Sequence, residues 1–413
     1  MSDNKPTCPV SHITLPGDGT PMKPSPSFTA WRAEASATPL TYQDGHEGLI
    51  ATGYEFARSV LSDPRFSMRP ERLPMGPVGD LVSDKDVPNA ALPAELPGDL
   101  DDDAQISERS NLLILDGDEH SKLRRLVTPR FSLKQARSRR EWISNMVSEQ
   151  LALFLAKEQP ADIWMNYGLP IAARTHCHVI GVPDSHLETF IRLFEGSSTA
   201  QEKYDFIREV LELRRENPGE DVISDLLASD DITRHETEGL LRLLLGAGRD
   251  SVAYLIATTS VALLTNPAQL SRLISNPELI DSAVEEFMRF GAMFITLFPR
   301  TALEDVELEG VLVKAGQSVS VSSVAANRDP ARWENPDAFD VTRDGFGHLG
   351  FSYGIHGCIG QQVARIEISE AIRQLILGCD GLRLLHAEQL TPMPFAHPVA
   401  VYEAGAVMVE WER

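Results

Sequence analysis

A glycine-rich stretch near the C-terminal end, residues 351–360, constrains what this chain can fold into more than any other feature. The stretch reads F-S-Y-G-I-H-G-C-I-G and contains a single cysteine, Cys358. Apolar residues then recur at three- and four-residue spacing through Leu377, which predicts a helix that begins just after the cysteine. Because a helix start offers unpaired N–H groups and the positive end of a dipole, it favours a thiolate there. The glycines allow a tight turn and a close approach of the backbone to a flat ligand.

A cysteine in this setting has two interpretations. A lone cysteine in a glycine-rich loop is most often a buried structural residue. A thiolate at a helix start is also a good axial ligand for haem iron, where it pushes electron density toward O–O cleavage. The second interpretation is favoured because the pattern F-x-x-G-x-H-x-C-x-G resembles the haem-binding loop of the cytochrome P-450 family. By this resemblance the iron ligand is Cys358, and the other cofactor-binding residues of the loop are Phe351, Gly354, His356 and Gly360.

The longest predicted helix spans residues 233–265 and opens on a capping-box pattern, T-R-H-E. One stripe of this helix carries apolar and small residues, among them Leu244 and Ala247. A glycine inside a helix, here Gly248, costs about 1 kcal/mol of helix stability. That cost indicates a ligand close over the stripe, so Ala247 and Gly248 are predicted to contact the cofactor. Leu244 and Ala247 are also predicted to line a substrate pocket.

An acid and an alcohol, Asp250 and Ser251, follow on the same helix. Taken alone, Asp250 is a surface-facing acid and Ser251 a core serine bonded to its own backbone. However, residues 247–251 read A-G-R-D-S, which resembles the family's A-G-x-(D/E)-T element. In the family this acid and alcohol relay protons during oxygen activation, so the resemblance makes Asp250 and Ser251 the expected catalytic residues.

Cationic residues at three places are candidates for binding the carboxylates of the cofactor. His120 and Arg124 lie one helical turn apart, so both can point at one target, although such a pair is often only a solvated helix face. The segment resembles the family's H-x-x-x-R element, whose histidine and arginine bind a haem propionate through charge-assisted hydrogen bonds. By the same resemblance Arg300 and His356 are further propionate-binding residues.

A structural pair and a pocket wall are predicted next to each other. Glu286 and Arg289 form an i,i+3 charge pair on a helix predicted over residues 279–290, a pair worth only a few tenths of a kcal/mol by itself. Their order in the chain resembles the family's E-x-x-R, which supports the haem loop. The apolar run 293–298 follows, and its first residues are predicted to line the substrate pocket: Met293, Phe294 and Ile295.

Three positions depart from the family's pattern. Ser352 stands where a second glycine is usual and adds a Cβ beneath the expected ring. Ser251 replaces the usual threonine, which keeps the hydroxyl and loses the methyl group that stiffens χ1. The family's P-(D/E)-R-F segment, which supplies an arginine to the E-x-x-R pair, reads P-D-A-F at residues 336–339. The third partner of that pair is therefore missing or is supplied elsewhere.

Composition excludes several classes of protein. The chain has 38 Lys and Arg against 60 Asp and Glu, a net charge of −22, which disfavours nucleic acid and anionic membrane surfaces as partners. The N-terminus has no signal-peptide pattern, and no stretch of about 18 apolar residues occurs. The four cysteines lack the spacing of a disulfide framework or a metal site, and a metal site at His176-Cys177-His178 is disfavoured because alternate helix positions do not face each other. A cytoplasmic protein is expected.

The predicted fold is a cytochrome P-450-like single domain, mainly α with small β sheets, over residues 28–413, preceded by a polar tail, residues 1–27. Residues 70–105 are proline-rich and predict a long loop, which by resemblance gates the substrate. Short strands are predicted over 306–313 and 317–321, around Ala315-Gly316. A closing hairpin is predicted over 399–411.

The resemblance implies a haem b enzyme that inserts one oxygen atom from O2 into a hydrophobic small molecule. The sequence contains no reductase domain, so a separate ferredoxin and ferredoxin reductase are the expected electron donors. Residues 120–140 hold eight basic residues and no acid, which predicts the ferredoxin docking surface: Lys122, Arg124, Arg125, Arg130, Lys134, Arg137, Arg139 and Arg140. Alternatives are a peroxide-driven or isomerising enzyme, disfavoured by the acid–alcohol pair at 250–251, and a non-catalytic haem sensor.

Overall fold

The computed structural model describes residues 13–42, 47–69, 100–194, 198–387, 400–402 and 405–412. Helices dominate these residues, and short strands form small sheets. In chain order the helices are α1 (Pro26–Glu34), α2 (Tyr54–Ser62), α3 (Asp102–Glu108), α4 (Gly117–Val127), α5 (Leu133–Ser138), α6 (Arg140–Leu155), α7 (Leu169–Ile180), α8 (Leu187–Leu193), α9 (Ala200–Glu216), α10 (Val222–Leu227), α11 (Arg234–Ala247), α12 (Arg249–Leu264), α13 (Pro267–Ser275), α14 (Ile280–Phe290), α15 (Ser323–Ala326) and α16 (Gln361–Gly378). The strands are β1 (Ala37–Thr41), β2 (Glu47–Ala51), β3 (Phe66–Ser67), β4 (Ala161–Asp162), β5 (Phe294–Thr296), β6 (Arg300–Ala302), β7 (Val306–Leu308), β8 (Val311–Val313), β9 (Ser318–Val321), β10 (Arg383–Ala387), β11 (Ala400–Val401) and β12 (Val407–Glu410). The predicted fold class is confirmed.

The largest sheet in the described residues has five strands in the order β1-β2-β9-β6-β3. β2 and β9 run parallel, with Leu49 opposite Val319, and the other neighbours run antiparallel. A small apolar cluster packs on this sheet, whereas the main core lies among the helices. The sheet thus forms a second, smaller layer beside a helical body.

Strands form within the predicted segments 306–313 and 317–321, whereas the closing hairpin predicted over 399–411 is wrong. β7 and β8 form a hairpin with each other, turning at Glu309 and Gly310, whose φ angles of 48° and 75° are those of a two-residue hairpin turn. β9 is not part of this hairpin and lies in the five-stranded sheet. At the C-terminus β11 pairs with β5, while β12 pairs with β10 and β4, so the expected closing hairpin does not form. Pairing between distant segments is not visible in local patterns.

Three other predicted segments differ from the structure or lie partly outside the described residues. The helix predicted over 233–265 is interrupted at Gly248, where α11 ends and α12 begins. Most of the predicted 70–105 loop, residues 70–99, lies outside the described residues, but its last part opens α3, capped by Asp101, whose side chain accepts from the N–H of Ala104 at 2.7 Å. In the predicted tail, residues 1–12 are outside the described part of the chain, and Leu15 is buried in the main core.

The helix that follows the cysteine loop, α16, sits at the centre of the helical body. It packs against α6, α12 and α14, and α12 in turn packs against α7. Among the described helices, none is long and apolar enough to cross a membrane. The described side chains also form no group of three or more that could hold a metal ion, which includes those at 176–178.

Candidate functional site

The cysteine loop is closed by its own backbone. The N–H of Cys358 donates to the carbonyl of Phe351 at 2.8 Å, and the N–H of Gly357 donates to that of Gly354 at 3.0 Å. Gly354 has a φ of +73°, and a Cβ there would lie 2.3 Å from the backbone oxygen of Leu61. Position 354 therefore requires glycine for two reasons: a Cβ would collide with the backbone of α2, and the φ angle is positive. The loop delivers Cys358 to the start of α16.

Cys358 is accessible to solvent at the start of α16. Burial raises the pKa of the Cys358 thiol, while the N–H groups of Gly360 and Gln361 and the charges of Arg124 and Arg365 lower it. The helix start acts in the predicted direction, but burial is the stronger effect. A coordinating thiol is deprotonated outright by a metal ion, so this pKa does not prevent ligation.

The four predicted propionate-binding residues come together beside the cysteine loop. The ring centroids of His120 and His356 lie 4.3 Å apart. Arg124 donates from Nη2 to the carbonyl of Gly357 at 2.5 Å, and Arg300 is almost fully buried. Burial, together with the nearby charges of His356, Arg124 and Arg300, lowers the pKa of His120 to about 4. Two arginines and two imidazoles thus share one poorly solvated space.

This cluster contains donor groups that the described residues do not satisfy. Nε2 of His120 and Nε2 of His356 are buried and have no hydrogen-bond partner in the described part of the chain. The carboxylate of Asp116 lies 3.7 Å from His356 Nε2, too far for a hydrogen bond. An unsatisfied buried polar group costs about 1–3 kcal/mol, so an anionic ligand is expected here. The two carboxylates of a haem fit both the charge and the orphaned nitrogens.

Asp116 is a site residue that the sequence analysis missed. Burial raises its pKa, but the nearby His356 and the hydrogen bonds from Ser67 and from the N–H of Met68 outweigh this and lower the pKa to about 2. Ser67 Oγ donates to the carboxylate at 2.5 Å. The residue immediately precedes α4, which carries His120 and Arg124, and that position was the available signal. Asp116 partly balances the charge of the cationic cluster.

The interruption of the long helix lies at the predicted catalytic residues. Ser251 Oγ donates to the carbonyl of Ala247 at 3.0 Å, across the break. Asp250 Oδ1 accepts from Nε of the buried Arg249 at 2.9 Å, and the Asp250 side chain is 44% exposed. A Cβ at Gly248 would lie 2.2 Å from Nδ1 of His176 on α7. The absent side chain at 248 makes room for this histidine, a reason for glycine that the sequence did not indicate.

The predicted pocket residues occupy different surroundings. Ala247 is exposed, whereas Leu244 on the preceding turn is 4% exposed. Ile295 is buried in the main core, and Phe294 packs against the smaller cluster on the five-stranded sheet. Consecutive strand residues point to opposite faces, so these two side chains do not border the same space. Met293 is half-buried against the main core.

The Glu286–Arg289 pair is fully buried, with Nε of Arg289 2.6 Å from Oε2 of Glu286. The third partner is Arg343, whose Nε lies 3.3 Å from Oε1 of Glu286. The same residue donates to the carbonyls of Glu334, Asn335 and Ala338, which shape the segment leading to the cysteine loop. Arg343, five residues after Ala338, thus takes the place of the arginine that is absent from 336–339. Sequence spacing alone did not identify it.

Ser352 is expected to be a strained position. Its φ of 59° and ψ of −164° form a combination that is essentially restricted to glycine, and such strain costs about 1–3 kcal/mol. Glycine would relieve this strain, but part of the stabilisation is lost because glycine gives the unfolded chain more conformational entropy. The Ser352→Gly variant should therefore unfold with a free energy about 1 kcal/mol higher in urea titrations. The control is Ser138→Gly, at the end of α5, which should lower the free energy of unfolding. If both glycine variants lower this free energy, Ser352 is not strained.

Comparison with known proteins identifies the family. A cytochrome P-450 family model matches residues 159–380. Cytochrome P-450 105C1 of Streptomyces sp is 35% identical over 400 residues, covering 94% of this chain and 95% of that protein. The mycinamicin IV hydroxylase/epoxidase of Micromonospora griseorubida is 33% identical over 357 residues, covering 82% and 84% of the two chains. The crystal structure of CYP105P1 in complex with filipin I superposes with a TM-score of 0.82 at 29% identity, covering 97% of this chain and 99% of that one. The chain therefore belongs to the cytochrome P-450 family, and it is a haem-binding monooxygenase that oxidises a small molecule with O2.

Proposed function

We propose that this enzyme inserts one oxygen atom from O2 into a hydrophobic small molecule, with electrons from a ferredoxin and its reductase. The observation that supports this most strongly is the meeting of Cys358 with two arginines and two histidines, since both histidines carry a buried Nε2 without a partner among the described residues. A structural cysteine would not require this arrangement.

Each residue of the cluster has a proposed role in holding the cofactor. Cys358 Sγ would ligate the iron, and His120, Arg124, Arg300 and His356 would hold the propionates. When bound, the haem supplies oxygen activation, which the thiolate assists by donating electron density. Phe351 and Gly360 complete the surroundings of the sulfur, where a Cβ at Gly360 would lie 3.9 Å from Sγ.

Asp250 and Ser251 are proposed to manage protons at the helix break. The Ser251 hydroxyl donates to the Ala247 carbonyl and keeps its lone pairs available to accept from a water molecule. The partly exposed Asp250 carboxylate can exchange protons with solvent while Arg249 holds it in place. Together they would pass protons from the surface to Ser251 Oγ, next to the exposed Ala247.

The Ser251→Ala variant should uncouple oxygen consumption from product formation. Removing the hydroxyl leaves packing nearly unchanged, so substrate affinity should hold, but a positioned proton donor is lost. We expect product formed per O2 consumed to fall about tenfold or more, with hydrogen peroxide increasing correspondingly. Parallel assays of NADH, O2, peroxide and product measure this.

Ser260→Ala is the matched control, because Ser260 lies on the same helix and makes the same kind of bond, to the Ile256 carbonyl at 2.8 Å. Its coupling should remain that of the wild type. Unchanged coupling in Ser251→Ala would make Ser251 a structural residue, with Asp250 or water handling the proton.

The substrate proposed is a hydrophobic compound of the size of a terpenoid, steroid or macrolide. Ala247 is an exposed apolar residue at the helix break, and the named relatives act on mycinamicin IV or bind filipin I. A compound library screened for a shift of the Soret band identifies ligands, and NADH-coupled product analysis follows. Turnover with peroxide alone would indicate the peroxide-driven alternative, and binding without any turnover would indicate a sensor.

The structure separates the basic residues of 120–140 into paired and exposed groups. Lys122 pairs with Glu236 and Arg130 with Asp225, while Arg140 binds Asp281 and Glu370. Arg139 is buried and donates to backbone carbonyls, and Arg124 donates to the cysteine loop. The side chains that remain exposed, without a partner among the described residues, are Arg125, Lys134 and Arg137. These three form the proposed ferredoxin surface.

Charge reversal at this surface should slow electron delivery. Arg125→Glu, alone or with Lys134→Glu, is expected to slow reduction by a ferredoxin, because an acidic partner is steered by opposite charge. Substrate binding and peroxide-driven turnover should remain intact. Stopped-flow reduction of the wild type should also slow as salt rises, since exposed charges are screened beyond about 10 Å at 0.1 M.

Arg192→Glu on α8 is the matched control, because Arg192 is exposed and has no partner in the described chain. It changes the net charge equally and should not affect the reduction rate. If neither the charge reversals nor the salt concentration changes the reduction rate, the ferredoxin docks on another surface.

A further inference from the structure

His176 on α7 lies directly behind the interruption of the long helix. The position that a Cβ at Gly248 would take is 2.2 Å from Nδ1 and 2.5 Å from Cε1 of this ring. Phe190 covers another face of the ring, with centroids 5.9 Å apart. The imidazole therefore packs between α8 and Gly248, the residue that separates α11 from α12.

The break leaves backbone carbonyls that need donors. In an uninterrupted helix the amides of Gly248 and Arg249 would donate to the carbonyls of Leu244 and Leu245. With α11 ending at Ala247 and α12 starting at Arg249, this ladder is interrupted. The backbone of Leu244 and that of Leu245 raise the pKa of His176 against the stronger effect of burial, as carbonyls facing a ring N–H do. On the other side of the break, the Ser251 hydroxyl donates to the carbonyl of Ala247.

Packing alone does not explain a histidine at this place. Nε2 of His176 is buried and has no hydrogen-bond partner among the described residues. Burial lowers the pKa of His176 to about 4, so the ring is neutral near pH 7 and has one N–H to donate. An apolar side chain would fill the space without the cost of an unsatisfied nitrogen. The histidine must therefore contribute something that an apolar residue lacks, and its N–H group is that contribution.

We infer that His176 is a positioning residue that stabilises the open helix break by donating its ring N–H to the freed carbonyls of Leu244 and Leu245. It thereby sets the orientation of Asp250 and Ser251 without contacting substrate or cofactor. This inference rests on the proton role proposed above for those two residues. A regular helix through Gly248 would return these carbonyls to the amides of Gly248 and Arg249 and would change the direction of α12, which carries the acid and the alcohol.

Near-isosteric variants test the donor separately from the volume. His176→Asn keeps an N–H near the position of Nδ1, His176→Leu has similar size without a donor, and His176→Phe fills the ring volume without a donor. The haem-loaded enzymes are compared after the carbon monoxide spectrum shows an intact thiolate-bound cofactor. His178→Leu, an exposed position two residues away on α7, is the matched control.

We expect the Leu and Phe variants to lose product per O2 at least several-fold, while the Asn variant and the control stay near the wild type. Hydrogen exchange of peptides covering 244–252 should accelerate in the Leu and Phe variants alone. If all three His176 variants behave alike in both measurements, the donor has no role and the inference is wrong. If exchange changes as expected but neither these variants nor Ser251→Ala uncouple, the proton role fails and the positioning of the break stands.

Discussion

Replacing Cys358 with histidine is expected to abolish oxygenation while leaving a folded haem protein. A neutral imidazole nitrogen can bind iron but cannot supply the electron density of a thiolate. The reduced carbon monoxide complex should lose its red-shifted, thiolate-type Soret band, and product formation with NADH should fall to background. Absorption spectra and product assays on the same preparation measure both effects.

The control uses Cys379, which is buried after the end of α16 and whose pKa burial raises to about 11. Cys379→Ala should keep the red-shifted band and the activity. Survival of the band in Cys358→His would mean that another side chain ligates the iron, and the roles assigned to residues 351–360 would then be withdrawn.

Arg289→Met should destabilise the protein more than any other single change considered. The variant leaves the buried Glu286 with Arg343 and the N–H of Asp340 as its partners among the described residues, and the carbonyls of Asn327, Pro336 and Ala338 each lose one donor. Removing one partner of a buried ion pair typically costs about 3–5 kcal/mol. Urea unfolding should show a loss of this size, and haem content after purification should fall with it.

Arg272→Met on α13 is the comparison, because Arg272 is half-exposed and lies 3.7 Å from Asp340. Surface pairs contribute about 0–1 kcal/mol, so little change is expected. A loss below about 1 kcal/mol in Arg289→Met as well would show that the pair is not a structural support of the segment leading to Cys358.

Local sequence was sufficient wherever a function is carried by residues close in the chain. The cysteine loop, the one-turn spacing of His120 and Arg124, and the E-x-x-R pair are determined by turn geometry and helical periodicity. These patterns predicted the fold class and the family, and both are confirmed. The spacing also named four cationic residues that the structure brings together beside Cys358.

The sequence by itself thus determined the family and the cofactor, and it predicted which side chains are chemically active. Tertiary structure alone decided which distant residues support them: Asp116 beside His356, Arg343 beside Glu286, and His176 behind Gly248. It also decided the pairing of β11 with β5 and of β12 with β4. The physical reason is that these contacts join residues far apart in the chain, whose proximity depends on how whole elements pack. A local pattern carries no information about a partner that only packing brings near.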